Sequence, residues 1–154
     1  MLRTYQPQDC PKLIELFQNT VRTINARDYS PKQREAWISN ADPRKWNQSF
    51  LEHQTIVAWK SHEIVGFADL DEKQNLLDHL FVAADHQNEG IASALCDVLE
   101  SACSETVIHT EASITARPFF ESRGYRIIRE QQVLRKGVFL TNYLMEKMTG
   151  NQSD

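Results

Sequence analysis

Between Leu51 and Thr55 the hydrophobic period of this chain changes from that of a helix to that of a strand, which limits the folds open to it. Upstream, Leu13, Ile14, Phe17, Val21 and Ile24 recur on one helical face, predicting a helix over about 10–24 that Asp9 can cap. Ser30, Pro31 and Gln33 have the order of a capping box with proline at the first helical position, and Asp42-Pro43 opens a further short helix to about Leu51. Downstream, 55–60 and 63–70 are β-branched or aromatic runs joined by Ser61 and His62, a predicted hairpin. A third strand is predicted over 75–82, a helix over 90–103, a strand over 106–110 and a helix over 115–123 stopped by Gly124. Strands over 125–130 and 138–148 close the chain, and Leu2–Gln6 reads as a short opening strand. A meander followed by a βαβ unit means one mixed central sheet flanked by about four helices, an α/β (α+β) architecture. We expect a single domain over 1–149, with 150–154 as a polar tail.

Lys and Arg number 17 against 21 Asp and Glu, a net charge of −4, which is the wrong sign for a generic nucleic-acid or anionic-membrane binder. No apolar run approaches the ~18 residues of a membrane span, and the first residues lack the apolar middle of a signal peptide, so a cytoplasmic protein is expected. Cys96 and Cys103 fall in one predicted helix, about 10.5 Å apart at its rise per residue, too far for a disulfide. With Cys10 as the third cysteine and no C-x-x-C pair, neither a disulfide framework nor a zinc site is expected, and no metal is assigned. Trp59 reads as core of the hairpin. Trp37 is either helix packing or the wall of a pocket.

The stretch from Leu80 to Leu95 carries the chemistry. A strand runs into a loop, and the loop runs into a helix at Gln87, Asn88, Glu89, Gly90, Ile91, Ala92 and Ser93. The first amides of a helix lack intrahelical partners and sit at the positive end of its dipole, so such a joint suits a phosphate. Gly90 and Ala92 lack the bulk to keep a pyrophosphate away. Gly90 alone is equally a turn residue. The joint is neither a Walker loop nor a G-x-G-x-x-G fingerprint.

In context, Gln87, Gly90 and Ala92 after the strand ending Leu80, Phe81, Val82 resemble motif A of the GNAT superfamily of N-acetyltransferases, Q/R-x-x-G-x-G/A. A second block from Ser113 through Ala116, Phe119, Phe120 and Gly124 to Tyr125 resembles that family's N-x-x-A-x-x-F-Y-E-x-x-G-F block. Both come in order on the right elements, and the resemblance covers nearly the whole chain. It implies a sheet splayed between two parallel strands, with acetyl-CoA in the gap. The pyrophosphate would lie on the amides of roughly Gln87 to Ala92, with Ser93 a further cofactor contact, and the pantetheine beside Leu80, Phe81 and Val82. Ala116, Phe119 and Phe120 would complete the cofactor wall, and Ser113 would either touch the pantetheine or cap the next helix. A negative Glu89 must turn away from the diphosphate.

Direct acetylation of an amine needs a base for the ammonium and a donor for the thioester oxygen, and it is helped by an acid for the departing thiolate. The family's usual acid is the Tyr of its F-Y-E triplet, but Phe120 stands there. Tyr143 and Tyr29 replace it best, Tyr125 less well, and a thiolate also leaves unaided. Strand alternation puts residues 76, 78, 80 and 82 on one face, making Asp78 the candidate base or the group that orients the ammonium. His79 suits pH 7 better but faces the other way unless the strand is bulged; with Tyr29 and Trp37 it is a candidate substrate contact. The expected activity is an N-acetyltransferase acting on a primary amine of a small molecule or peptide, as a monomer or homodimer. The alternatives are a non-catalytic acyl-CoA-binding module, motivated by Phe120, and a phosphate- or nucleotide-binding domain.

Overall fold

A computed structural model describes residues 1–149; the polar tail expected over 150–154 lies outside the described residues. Seven strands form one sheet: β1 (Leu2–Thr4), β2 (Gln54–Lys60), β3 (Glu63–Asp71), β4 (Leu76–Val82), β5 (Val107–Ser113), β6 (Arg126–Arg135) and β7 (Val138–Met148). Five α-helices flank it among the described residues: α1 (Cys10–Thr23), α2 (Pro31–Ile38), α3 (Pro43–Glu52), α4 (Ile91–Ala102) and α5 (Arg117–Ser122). The strand order is β1-β2-β3-β4-β5-β7-β6. Every neighbouring pair is antiparallel except β4 and β5. The mixed sheet expected from the change of period is therefore present, with five helices rather than about four. None of these helices is long and apolar enough to cross a membrane.

Local rules account for the helix starts. Gln33 N–H donates to Ser30 Oγ at 3.1 Å and Ser30 N–H to Gln33 Oε1 at 2.9 Å, closing the capping box of α2. Arg44 N–H donates to Asp42 Oδ1 at 3.0 Å at the start of α3. Asp9 does not cap α1. Its carboxylate takes a two-pronged ion pair from Arg3, both contacts at 2.8 Å, and accepts the Gln6 amide at 2.9 Å. A guanidinium fork competes better for a carboxylate than one helix amide does.

Each sheet face has its own core. Leu95 and Leu99 of α4 pack with Leu70, Leu77, Ile108, Met145 and the α5 residue Phe120 on one side. Leu13, Phe17 and Val21 of α1 pack with Phe50, Val57 and Phe67 on the other. Leu95 and Leu99 are fully buried, and each contributes about 1.5–3 kcal/mol of apolar burial, which fixes α4 and hence its N-terminus on the sheet. Gly66 allows that approach: a Cβ there would come within 3.1 Å of Ile91 Cγ2 and 3.2 Å of the Phe81 carbonyl oxygen.

Two strands outrun their predicted ends. β5 continues to Ser113 with Ile108, Thr110 and Ala112 buried in alternation, and β6 continues to Arg135 before a tight turn at Lys136 and Gly137. β6 is a mostly exposed edge strand, so its residues carry little apolar alternation to read. Trp59 is half-buried at the sheet's rim, stacked on His62 with centroids 6.5 Å apart, rather than in the hairpin core.

Candidate active site

The loop after β4 delivers the backbone into α4 through two left-handed residues, Asn88 at φ 62° and Gly90 at φ 82°. Gly90 is the helix N-cap and no side chain caps the first turn, so the amides of Ile91, Ala92 and Ser93 have no helical partner. A Cβ on Gly90 would meet nothing within 4 Å, so the space in front of these amides is open. It belongs to a cavity of about 410 Å³. Gln87, Asn88, Gly90, Ile91, Ala92 and Ser93 line it, together with Leu80, Phe81, Val82, Ser113, Ala116 and Phe119. Free amides at the positive end of a 12-residue helix, open to a cavity this size, fit a diphosphate.

Two side chains of the loop do other work. Gln87 donates from Nε2 to the carbonyls of Val82 at 2.7 Å and Ala83 at 3.3 Å, stapling the loop to the strand it leaves. Glu89 does not line the cavity; it pairs with His86 at 3.1 Å and Lys60 at 3.0 Å, and these partners hold its carboxyl below the usual range. Of the residues from Gln87 to Ser93, Glu89 is the one that does not line the cavity.

The sheet opens beside this cavity. β4 and β5 pair only at Leu76 with His109 and Leu77 with Thr110, and beyond them the parallel strands part. Main-chain groups of residues 78–82 on that edge are left without a neighbouring strand, so an extended chain can pair there. Leu80, Phe81, Ser113 and Ala116 line both the first cavity and a second one of about 260 Å³, so the two meet at the splay. Phe17, Tyr29, Trp37, Trp46 and Phe81 build an aromatic wall for the second cavity. Phe17 is the hub, with ring centroids 4.9 Å from Trp46 and 5.1 Å from Phe81.

Asp78, His79, Glu111 and Arg135 supply the charge in this second cavity. Strand alternation alone cannot put Asp78 and His79 together. A β-bulge does so: Asp69 pairs with His79 and Leu70 with Leu77, leaving Asp78 as the extra residue. His79 Nδ1 lies 3.0 Å from Asp69 Oδ1 and 3.5 Å from Asp78 Oδ2. Burial pulls the His79 imidazole down, but the charge and hydrogen bond of Asp69 and the charge of Asp78 outweigh it, leaving its pKa pushed up to about 9. Burial raises the Asp78 carboxyl, with Asp69 and Glu111 adding to the effect against the pull of His79 and His53. Asp69 is fully buried; burial opposes its charge, yet His79 and His53 hold its carboxyl low.

A profile described as "Acetyltransferase (GNAT) domain" matches residues 25–147. The chain belongs to the GNAT acetyltransferase family. The uncharacterized N-acetyltransferase YafP of Escherichia coli K12 is 35% identical to this GNAT chain over 144 residues, 94% of it and 93% of YafP. A crystal structure of a GCN5-related N-acetyltransferase from Rhodopseudomonas palustris superposes with a TM-score of 0.92 at 31% identity, covering 96% of this chain and 94% of that one. A PaiA N-acetyltransferase from Thermoplasma acidophilum, solved in complex with coenzyme A, shares the fold at a TM-score of 0.78 and 16% identity, covering 96% and 98% of the two chains. The chain is thus a GNAT N-acetyltransferase, and its splay and α4 joint are the parts motif A predicts.

Within this GNAT frame the predicted tyrosines do not converge. The Tyr29 hydroxyl donates to the Thr141 carbonyl at 2.5 Å and accepts the Ile114 amide at 2.9 Å, so its proton is committed to main chain. Burial raises that phenol to about 12, against the Ile114 bond. Tyr29 is therefore a clamp between the cavity and β7 rather than a proton donor, and its ring, 5.3 Å from Trp37, remains part of the wall. Tyr143 lines neither cavity; it packs on the α4 and α5 face with the Arg117 guanidinium 4.9 Å over its ring. Tyr125 donates to Glu100 at 2.8 Å, well into that same face. Phe120 does reach the second cavity, where it has no proton to give. Ser113 Oγ accepts the Ala116 amide at 3.0 Å, closing the turn before α5, and Ser113 also lines both cavities. Trp37 is cavity wall and helix packing at once.

Sequence reasoning missed Trp46, Glu111, Asp69 and His53. Asp69 carried a signal: it is the one charge inside the apolar run from Ile64 to Leu70. His53, Asp69 and Asp78 bring metal-ligand atoms within 4.8 Å of one another. The Asp69 oxygens and His53 Nδ1 are already spent on each other and on His79, so the group reads as a hydrogen-bond network.

Proposed function

We propose that this N-acetyltransferase moves an acetyl group from acetyl-CoA directly to a primary amine of a small molecule or peptide, with no acyl-enzyme. The meeting of the two cavities at Leu80, Phe81, Ser113 and Ala116 carries this reading, because it brings a diphosphate cradle and a base-lined pocket to one seam. Acetyl-CoA supplies an activated carbonyl and a thiolate leaving group. The amides of Asn88 and of Gly90 through Ser93 hold its diphosphate, and the free edge of β4 over Leu80 to Val82 holds its arm.

On the other side, Asp78 and Glu111 attract and orient the ammonium. His79, with Nε2 unbonded among the described residues, takes its proton. The aromatic wall keeps water out, which strengthens the field of these groups on the amine. The thiolate leaves without a protein acid, since Phe120 has none and Tyr29 is committed; a thiol with an ordinary pKa of ~8.5 is a good enough leaving group. No cysteine among the described residues lines either cavity, and burial raises Cys96 to about 12, which argues against a covalent route.

Release of free thiol from acetyl-CoA across a panel of primary amines, with mass spectrometry of the products, tests this. Turnover that depends on the amine and yields the N-acetyl product is expected. Binding of acetyl-CoA without turnover on any amine points instead to the acyl-CoA-binding module and overturns the reading.

A further inference from the structure

Asp69 is a carboxylate with no exposure at all, at the centre of the sheet, and it touches neither cavity. Its surroundings are donors. Oδ1 accepts the main-chain amide of His79 at 2.9 Å and faces His79 Nδ1 at 3.0 Å. Oδ2 faces His53 Nδ1 at 2.7 Å. The bulge explains the first contact: it takes the His79 amide out of the strand ladder, and the Asp69 side chain receives it instead. His53 sits just past α3, remote in sequence, with its Nε2 3.6 Å from Asp71 Oδ2 at the surface end of the group.

We propose that Asp69 and His53 form a positioning chain behind His79: Asp69 fixes the imidazole with Nδ1–H turned to itself and Nε2 turned to the acceptor cavity, and His53 holds Asp69 in that orientation. The proposal rests on the reading of His79 as the group that accepts the ammonium proton. A carboxylate oxygen facing an imidazole nitrogen requires the proton to lie between them, so Asp69 selects the Nδ1–H form of His79. The opposite nitrogen then carries the lone pair. Without this partner the ring is free to place its proton on either nitrogen, and a base presenting N–H to an ammonium accepts nothing. His53 does for Asp69 what Asp69 does for His79, removing the rotational freedom of a carboxylate otherwise held on one side.

The charged groups acting on His79 are Asp69 from β3 and Asp78 from its own strand; Glu111 from β5 acts on Asp78, and Asp71 from β3 acts on His53 at the end of α3. Asp69 is the nearest of these carboxylates, with a hydrogen bond as well as a charge, so it dominates. The Asp69 bond first, and then its charge with those of Asp71 and Asp78, likewise raise His53 against burial.

Nitrogen-15 spectra of the imidazole rings, recorded against pH in the ligand-free protein, test the chain without any assumption about the substrate. In the wild type, His79 is expected in the Nδ1–H form when neutral, with a midpoint near 9. In Asp69→Asn the midpoint falls toward the ordinary ~6.5, a shift of about two pH units, while the amide oxygen, held in place by the His79 main-chain amide, keeps accepting Nδ1–H; in Asp69→Ala the Nδ1–H preference is lost as well. His53→Ala reduces the Nδ1–H preference, and His53→Gln, whose amide donates to the same oxygen, restores it. A wild-type His79 with an ordinary midpoint, or with the proton on Nε2, overturns the proposal even if the Asp69 variants do not fold. Thiol release measured alongside separates the two levels. If the spectra behave as stated but His79→Gln turns over normally, the chain stands and the base role of His79 falls.

Discussion

Gly90→Asp abolishes useful affinity for acetyl-CoA while leaving the fold intact. Gly90 sits at φ 82°, a left-handed conformation in which Asp is among the least strained side chains. Its Cβ would enter open space in front of the uncapped amides of α4. A carboxylate there stands where the diphosphate would lie, at the positive end of the helix dipole, and competes for the uncapped amides even without the extended backbone of an ordinary cap. It therefore takes the donors the diphosphate needs and adds a like charge beside it. Hydrogen bonds to a charged group are worth about 1.5–3 kcal/mol each, so losing two raises the Kd by about a hundredfold or more. Calorimetry with acetyl-CoA measures the affinity, and a urea melt run in parallel is expected to show a folded protein that loses no more than about 1–2 kcal/mol to the left-handed backbone. Unchanged affinity would mean that the α4 joint does not hold the diphosphate.

His79→Gln keeps acetyl-CoA binding and loses about a hundred- to ten-thousandfold in kcat, the usual range for removing a positioned base. The wild-type pH profile carries a second signature. A base acts only when unprotonated, and with its pKa raised to about 9 the imidazole is mostly charged at neutral pH. The kcat/KM therefore climbs about tenfold per pH unit below 9 and levels above it. Stability runs the other way. The folded pKa lies above the unfolded ~6.5, so the stabilisation from the His79–Asp69 pair is fully present below about 6.5 and is lost as pH rises through about 9. The enzyme thus gains its base over the window in which it gives up that ion pair. A kcat/KM flat between pH 6 and 9, or a His79→Gln variant with full turnover, contradicts the assignment.

The parts of this site legible beforehand are those built from neighbours in the chain. The α4 joint is one continuous segment, and its glycine, its small residues and the strand before it can be read in order. The capping box of α2 needs only residues 30 to 33. What stayed hidden depends on contacts between distant segments. Alternation along β4 assigns Asp78 and His79 to opposite faces, and only the mismatch between β3 and β4 at Asp69 brings both to one cavity. No local pattern marks a bulge whose cause is a partner strand. For the same reason His53, at the end of α3, gave no hint that it meets a buried carboxylate of β3. Tyr29 shows the converse: a tyrosine in a suggestive place, whose hydroxyl is consumed by the main chain of residues 114 and 141. Asp9 looked like a cap until the position of Arg3 across the turn was known.

The most direct test of the account is a crystal structure of the wild-type protein with acetyl-CoA. The diphosphate is expected within hydrogen-bond distance of the amides of residues 90–93, the arm along the free edge of β4, and the acetyl group at the seam lined by Leu80 and Ser113, facing His79. A diphosphate bound away from α4, or an acetyl group that points out of the second cavity, would contradict it.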